Sequence, residues 1–170
     1  MMRFNCLICG KGGQGVITLN RTIGNILSLL GYKVISAETH GMAMRGGSVS
    51  TFLKCGEFKS AGFGYNQADY IISTDYEEYL NNKHYLKNDG YNIVNTDKNN
   101  KNNNGVFFDA TKLSLKIFKS PKYANYFLLF IFFSLLGKID LIDVKNILIN
   151  QKLLDENKYT LILKELKDVI

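Results

Sequence analysis

A chain of 170 residues, 46% hydrophobic and 21% charged, is large enough to bury a core without disulfides, which excludes a disordered or fibrous polymer. The formal net charge of +6 is unevenly spread: residues 1–65 carry seven basic and two acidic side chains, and residues 66–97 carry two basic and six acidic. That asymmetry favours a phosphate-bearing ligand or an acidic surface near the amino-terminal part, against the plainer reading of a mildly basic fold with solvated lysines.

No aromatic-and-basic motif of the RNA-binding kind occurs, so no nucleic acid is expected. The most apolar run, Tyr126 to Leu136, is well short of the ~20 residues that cross a bilayer and reads as a buried helix, so no membrane is expected. Three cysteines, an odd number, with no cationic-then-apolar leader, predict a reducing cytoplasmic location.

In chain order, Phe4 to Cys9 is an apolar strand that runs into Gly10-Lys11-Gly12-Gly13-Gln14-Gly15. Four glycines in six residues permit backbone torsions closed to other residues and let a second group approach bare peptide. Val16, Leu19, Ile23, Ile26, Leu27 and Leu30 then recur at spacings of three and four, the mark of a one-sided helix, and Gly31 stands where a left-handed cap belongs. Lys33 to Ala37 is a second strand, parallel to the first by the crossover rule. Glu38 to Gly47 is a polar, glycine-rich loop.

Ser48 to Cys55 alternates as a strand should, and Gly56-Glu57 is expected to turn it back into Phe58-Lys59 as an inserted hairpin. Asp69 to Thr74 is a strand, Asp75 to Leu80 a short helix with acidic residues in its first turn, and Tyr91 to Asn95 another strand. Asp97 to Asn104 is nearly all Asn and Lys, too polar to pack, and receives no role. Val106 to Phe108 is a last strand. Helices follow over Thr111 to Phe118, over Lys122 to Leu136 after Pro121, and twice within Asp140 to Ile170. The expected fold is α/β: a three-layer, Rossmann-like, mostly parallel sheet with helices on both faces and an inserted β-hairpin, forming one domain over 1–170.

The glycine turn reads as G-x-G-x-x-G, with Glu38 near the end of the second strand where a dinucleotide fold places its ribose carboxylate. Against that, no substrate domain follows to hold a hydride donor or acceptor. Tight packing of helix on strand explains the glycines equally simply. Cys6 and Cys9 resemble C-x-x-C, but three residues apart on a strand they point to opposite faces. With Cys55 they are too few for an iron–sulfur cluster on this chain. His40 and His84 lack a second ligand at metal spacing, so no metal is assigned.

Together, Gly10-Lys11-Gly12-Gly13-Gln14-Gly15-Val16 and Glu38-Thr39-His40-Gly41-Met42-Ala43-Met44-Arg45-Gly46-Gly47-Ser48-Val49 resemble the small, gamma-type subunit of 2-oxoacid:ferredoxin oxidoreductases, particularly the indolepyruvate ferredoxin oxidoreductase beta subunit. The likeness extends through the Ala68-Asp69 strand, Asp109-Ala110-Thr111 and Pro121 to Asn125. Met44 departs from the family's usual glutamine, and the Asn-rich loop from its proline-containing connection.

The resemblance implies oxidative decarboxylation of an aryl 2-oxoacid with coenzyme A as co-substrate, with thiamine diphosphate, magnesium and [4Fe-4S] clusters on a large partner subunit and ferredoxin reduced through the complex. No catalytic residue is assigned to this chain. The contacting loops are expected at Gly10, Gly12, Gly13, Gln14, Gly15, Glu38, His40, Met42, Arg45, Gly46 and Gly47. Arg45 would grip a carboxylate or phosphate in forked geometry or pair with Glu38, and Met42 and Met44 would pack internally or meet a partner. The alternatives are a stand-alone nucleotide- or CoA-binding module and, behind it, an NAD-dependent enzyme.

Overall fold

The computed structural model describes residues 2–39, 46–98, 104–167 and 169. The chain divides into two compact units, Met1–Asp109 and Ala110–Ile170. The first holds β1 (Phe4–Lys11), α1 (Val16–Leu29), β2 (Val34–Thr39), β3 (Ser48–Cys55), β4 (Ala68–Ser73), α2 (Tyr76–Asn82), β5 (Leu86–Asn95) and β6 (Gly105–Phe108). The second holds α3 (Ala110–Phe118), α4 (Ala124–Leu136), α5 (Leu141–Asn150) and α6 (Glu156–Leu166).

The strands form one mixed sheet of order β2-β3-β1-β4-β5-β6. β1–β4, β4–β5 and β5–β6 are parallel, whereas β3 runs antiparallel to both β1 and β2. β1 and β2 are therefore parallel to each other, as their crossover through α1 requires, but β3 stands between them. The expected return strand at Phe58-Lys59 does not form: both edges of β3 are already taken, so it has no free hydrogen-bonding edge. Phe58 instead lies under the Arg3 guanidinium, 4.4 Å from ring centroid to carbon.

Neighbouring residues of β3 show the layering, because successive side chains leave a strand on opposite faces. Leu53, opposite Cys6, reaches α1 at Gly24, where a methyl group would lie 3.6 Å from its Cδ1. Phe52, opposite Leu7, packs with Leu7, Cys9, Ile71, Val94 and the α2 residue Tyr79. Helices α1 and α2 thus cover opposite faces. Burial is nearly complete along β1, so Cys6 and Cys9 are both fully buried, on different faces, and free.

In the second unit, α4 is apolar all round, and nine of its residues, Ala124, Phe127 through Phe133 and Leu136, are buried. It packs against α3, α5 and α6, with Phe130 edge-on to Tyr159 at 5.4 Å and the Tyr126 hydroxyl donating to Leu153 O at 2.9 Å. A tight turn over Pro121–Tyr123 leads into it and Gly137, at φ +62°, ends it. Asp140 and Asp155 cap α5 and α6 by accepting backbone N–H groups of Ile142 and Lys158. None of the described helices is long and apolar enough to cross a membrane.

Candidate functional site at the β1–β4 switch point

β1 feeds α1 on one face and its parallel neighbour β4 feeds α2 on the other, so the strand order switches at the carboxyl ends of these two strands. Open α/β sheets bind ligands at such switch points. Here the first glycine turn and Ser73, Thr74 and Asp75 stand at those ends.

The turn is held from within. The Gln14 carboxamide oxygen accepts from the Lys11 backbone N–H at 2.9 Å and from the Thr74 hydroxyl at 2.7 Å, and the Gln14 N–H donates to Lys11 O at 3.1 Å. Thr74 is in turn fixed to β1 by its own N–H, which donates to Cys9 O at 2.9 Å. Gly10 is required by this closeness: a Cβ there would stand 1.8 Å from Thr74 Oγ1 and 2.8 Å from Val16 Cγ2. Gly13 and Gly15 have φ of +93° and +77°, in the left-handed region, and Gly15 caps α1 with its carbonyl accepting from Leu19 N–H.

The second glycine loop meets the first. The Gly12 N–H donates to Gly47 O at 2.8 Å, and Gly46 has φ +93°. Of the predicted contact residues, Gly10, Gly12, Gly13, Gln14, Gly15 and Gly47 are brought together. Glu38, at the end of β2, is engaged by Arg21 of α1 at 3.1 Å, a partner that sequence spacing did not suggest. His40, Met42, Met44 and Arg45 lie outside the described residues.

The electrostatics of the rim are largely balanced. Lys11 Nζ lies 3.1 Å from Asp75 Oδ2. Asp75 also caps α2, accepting from the N–H groups of Glu77 at 3.0 Å and Glu78 at 3.2 Å. Burial pushes the Asp75 carboxyl up, but the Lys11 ammonium and these backbone donors outweigh it and hold it below the ordinary carboxylate value. Beneath the rim the buried Glu78 accepts the Ser48 hydroxyl at 2.8 Å. Thr74, Asp75 and Glu78 escaped the sequence reading as site residues. The only local signal was Asp75 ahead of Glu77 and Glu78, a helix start.

A dinucleotide pyrophosphate needs N–H groups of such a turn to point at it. Those of Lys11, Gly12 and Gln14 are all engaged by the chain itself, and the Lys11 cation is paired. Burial raises all three thiols, Cys9 to about 12 and Cys55 to about 11, so they stay protonated at neutral pH and are poor metal ligands or nucleophiles. Among the described residues no three His, Cys, Asp or Glu side chains come together as a metal site. The groups present do not fit an iron–sulfur cluster.

Comparison with known proteins converges on one family. The profile described as pyruvate ferredoxin/flavodoxin oxidoreductase matches residues 5–161. Indolepyruvate oxidoreductase subunit IorB of Archaeoglobus fulgidus is 36% identical over 97 residues, 57% of this chain and 48% of that protein. The matched stretch thus spans about half the length of that curated relative. Among solved structures, the pyruvate oxidoreductase subunit PORC of Thermotoga maritima superposes with a TM-score of 0.76 at 21% identity, over 95% of this chain and 94% of its own. The 2-oxoglutarate:ferredoxin oxidoreductase of Magnetococcus marinus, solved with 2-oxoglutarate, coenzyme A and succinyl-CoA, does so with 0.68 at 19%, over 96% and 30%. At those identities the structures speak for the fold, and with the profile match across both units they agree with the two loop motifs: this chain belongs to the pyruvate ferredoxin/flavodoxin oxidoreductase family.

Proposed function

We propose that this chain is the gamma-type subunit of a 2-oxoacid:ferredoxin oxidoreductase that decarboxylates an aryl 2-oxoacid, indolepyruvate or a relative, to an acyl-CoA. The observation that carries the proposal is the Gly12–Gly47 bond at the switch point, which ties the family's two loop motifs into one rim of backbone. The rim is the surface that meets the large subunit or coenzyme A, and Glu38, His40, Met42, Arg45 and Gly46 of the second motif are the further contacts that the sequence resemblance implies.

Thiamine diphosphate, magnesium and the [4Fe-4S] clusters belong to the large subunit in this reading, and ferredoxin takes its electrons there. The buried, protonated state of Cys6, Cys9 and Cys55 supports that division. The internally engaged donors of the first turn support a docking role over dinucleotide binding.

The test is anaerobic purification of the tagged chain from its native host, followed by iron, sulfide and thiamine diphosphate analysis. A large partner carrying all three is the expected result. A chain that emerges alone with a nucleotide or coenzyme A bound overturns the subunit reading in favour of a stand-alone binding module.

A further inference from the structure

At the other end of the parallel strands from the glycine loops, a hollow of about 510 Å³ opens at the start of β5, on the α2 face. Tyr79, Lys83, His84, Lys87, Gly90 and Asn92 line it. Its floor is Asn92, only 4% exposed, whose side-chain oxygen has no hydrogen-bond partner. The backbone of Asn92 is fixed, since its N–H donates to Asn104 O at 3.0 Å. Gly90, next along the same face of β5, carries no side chain over it, and a Cβ there would be 2.7 Å from Leu86 Cδ1 and 3.1 Å from Ala68 O. A buried acceptor left unpaired is costly, and Asn92, unlike the other such residues, lines an open hollow from which a bound group reaches it.

The rim of the hollow is cationic. Lys87 is already engaged by Asp69 at 2.5 Å, which leaves Lys83 as the charge without a carboxylate partner among the described residues. His84 stands beside it, its ring edge-on to that of Tyr65 at 4.4 Å. A ligand that suits both parts carries a negative group for Lys83 and, at the far end, an O–H or N–H to donate to Asn92 Oδ1. A plain anion satisfies the first and leaves the second orphaned.

We propose that this hollow is a binding site for a small hydroxylated or aminated anion, with Lys83 reading the charge and Asn92 the donor. The site stands apart from the glycine rim and does not depend on what that rim binds. Calorimetric titration of the full chain tests it with two matched pairs: malate against succinate, and glycerol 3-phosphate against methyl phosphate. The pairs distinguish a carboxylate from a phosphate ligand, and within each pair only the first member has the hydroxyl.

Saturable binding is expected for the hydroxylated member of one pair, about tenfold tighter than for its partner. Asn92→Leu, of similar volume, should erase that preference. Lys83→Gln, at an exposed position, should weaken both members of the pair several-fold while leaving the circular dichroism unchanged. No saturation by either pair at millimolar concentration overturns the proposal. So does a preference that survives Asn92→Leu, or an affinity that Lys83→Gln does not move, which keeps the test decisive should Asn92→Leu fail to fold.

Discussion

Asn20 is the residue at which structure and stability most plainly conflict. It lies on the buried face of α1, one turn on from Val16, is 1% exposed, and neither its side-chain oxygen nor its nitrogen has a partner. Two buried polar atoms without bonds cost more than an apolar group of the same shape. Asn20→Leu should therefore raise the unfolding free energy by about 1–2 kcal/mol, read from urea denaturation; a loss of stability would mean the amide is satisfied. Gly10 is the opposite case, since any side chain collides with Thr74 and Val16. Gly10→Ala should cost about 1–3 kcal/mol. Thr74→Ala added to it should recover part of that loss, although alone it removes the bond to Gln14. Strict additivity of the two changes would show that the contact is not what makes the glycine necessary.

Among elements, α2 links the switch point to pH. Its cap, Asp75, is held below the ordinary carboxylate value against the upward push of burial by Lys11 and the Glu78 and Glu77 N–H groups. A carboxyl lowered in the folded state contributes stability that is fully present above its unfolded value and is lost as pH falls through the folded one. Asp75→Asn keeps a capping side chain but loses the charge. It should be less stable than the parent by about 1 kcal/mol at pH 7, with the gap closing below about pH 4. A gap that stays constant into acid would place the effect in the cap alone.

The elements also mark what local pattern reveals. Val16 to Leu29 follows from the spacing of its apolar residues and from Gly31, which indeed has φ +85°. The position of β3 does not, because alternation identifies a strand and not its neighbours. Its seat between β1 and β2 is a long-range choice, and it displaced the expected hairpin to Phe58-Lys59. β5 starts at Leu86, five residues before the expected Tyr91. Lys87-Asn88-Asp89 have no apolar pattern, and the ladder to β4 starts at Ala68–Leu86 and shifts register before Tyr70–Tyr91. The first glycine turn was legible by motif, and most of the second motif lies outside the described residues. The Gly12–Gly47 bond and the Thr74–Gln14 and Ser48–Glu78 contacts join residues 30 to 60 apart, where no local signal reaches.

Across the whole molecule, the proposed division of labour with a partner rests on the thiols. Cys6, Cys9 and Cys55 are all buried with raised pKa values, so a thiol reagent at pH 7–8 should label the native chain far more slowly than the urea-unfolded one, which should yield three equivalents. Rapid native labelling would contradict the packing of β1 and β3. The family match runs over residues 5–161, through both compact units. The proposed function makes this chain the completing subunit of an oxidoreductase whose redox centres lie on another chain. It is tested most directly by anaerobic reconstitution: the large subunit, prepared without this chain, is assayed for aryl-2-oxoacid- and coenzyme A-dependent ferredoxin reduction as this chain is titrated in. This chain alone should show no turnover, and activity should rise to saturation as it is added. A large subunit already fully active without it, or turnover by this chain alone, would overturn the proposed function.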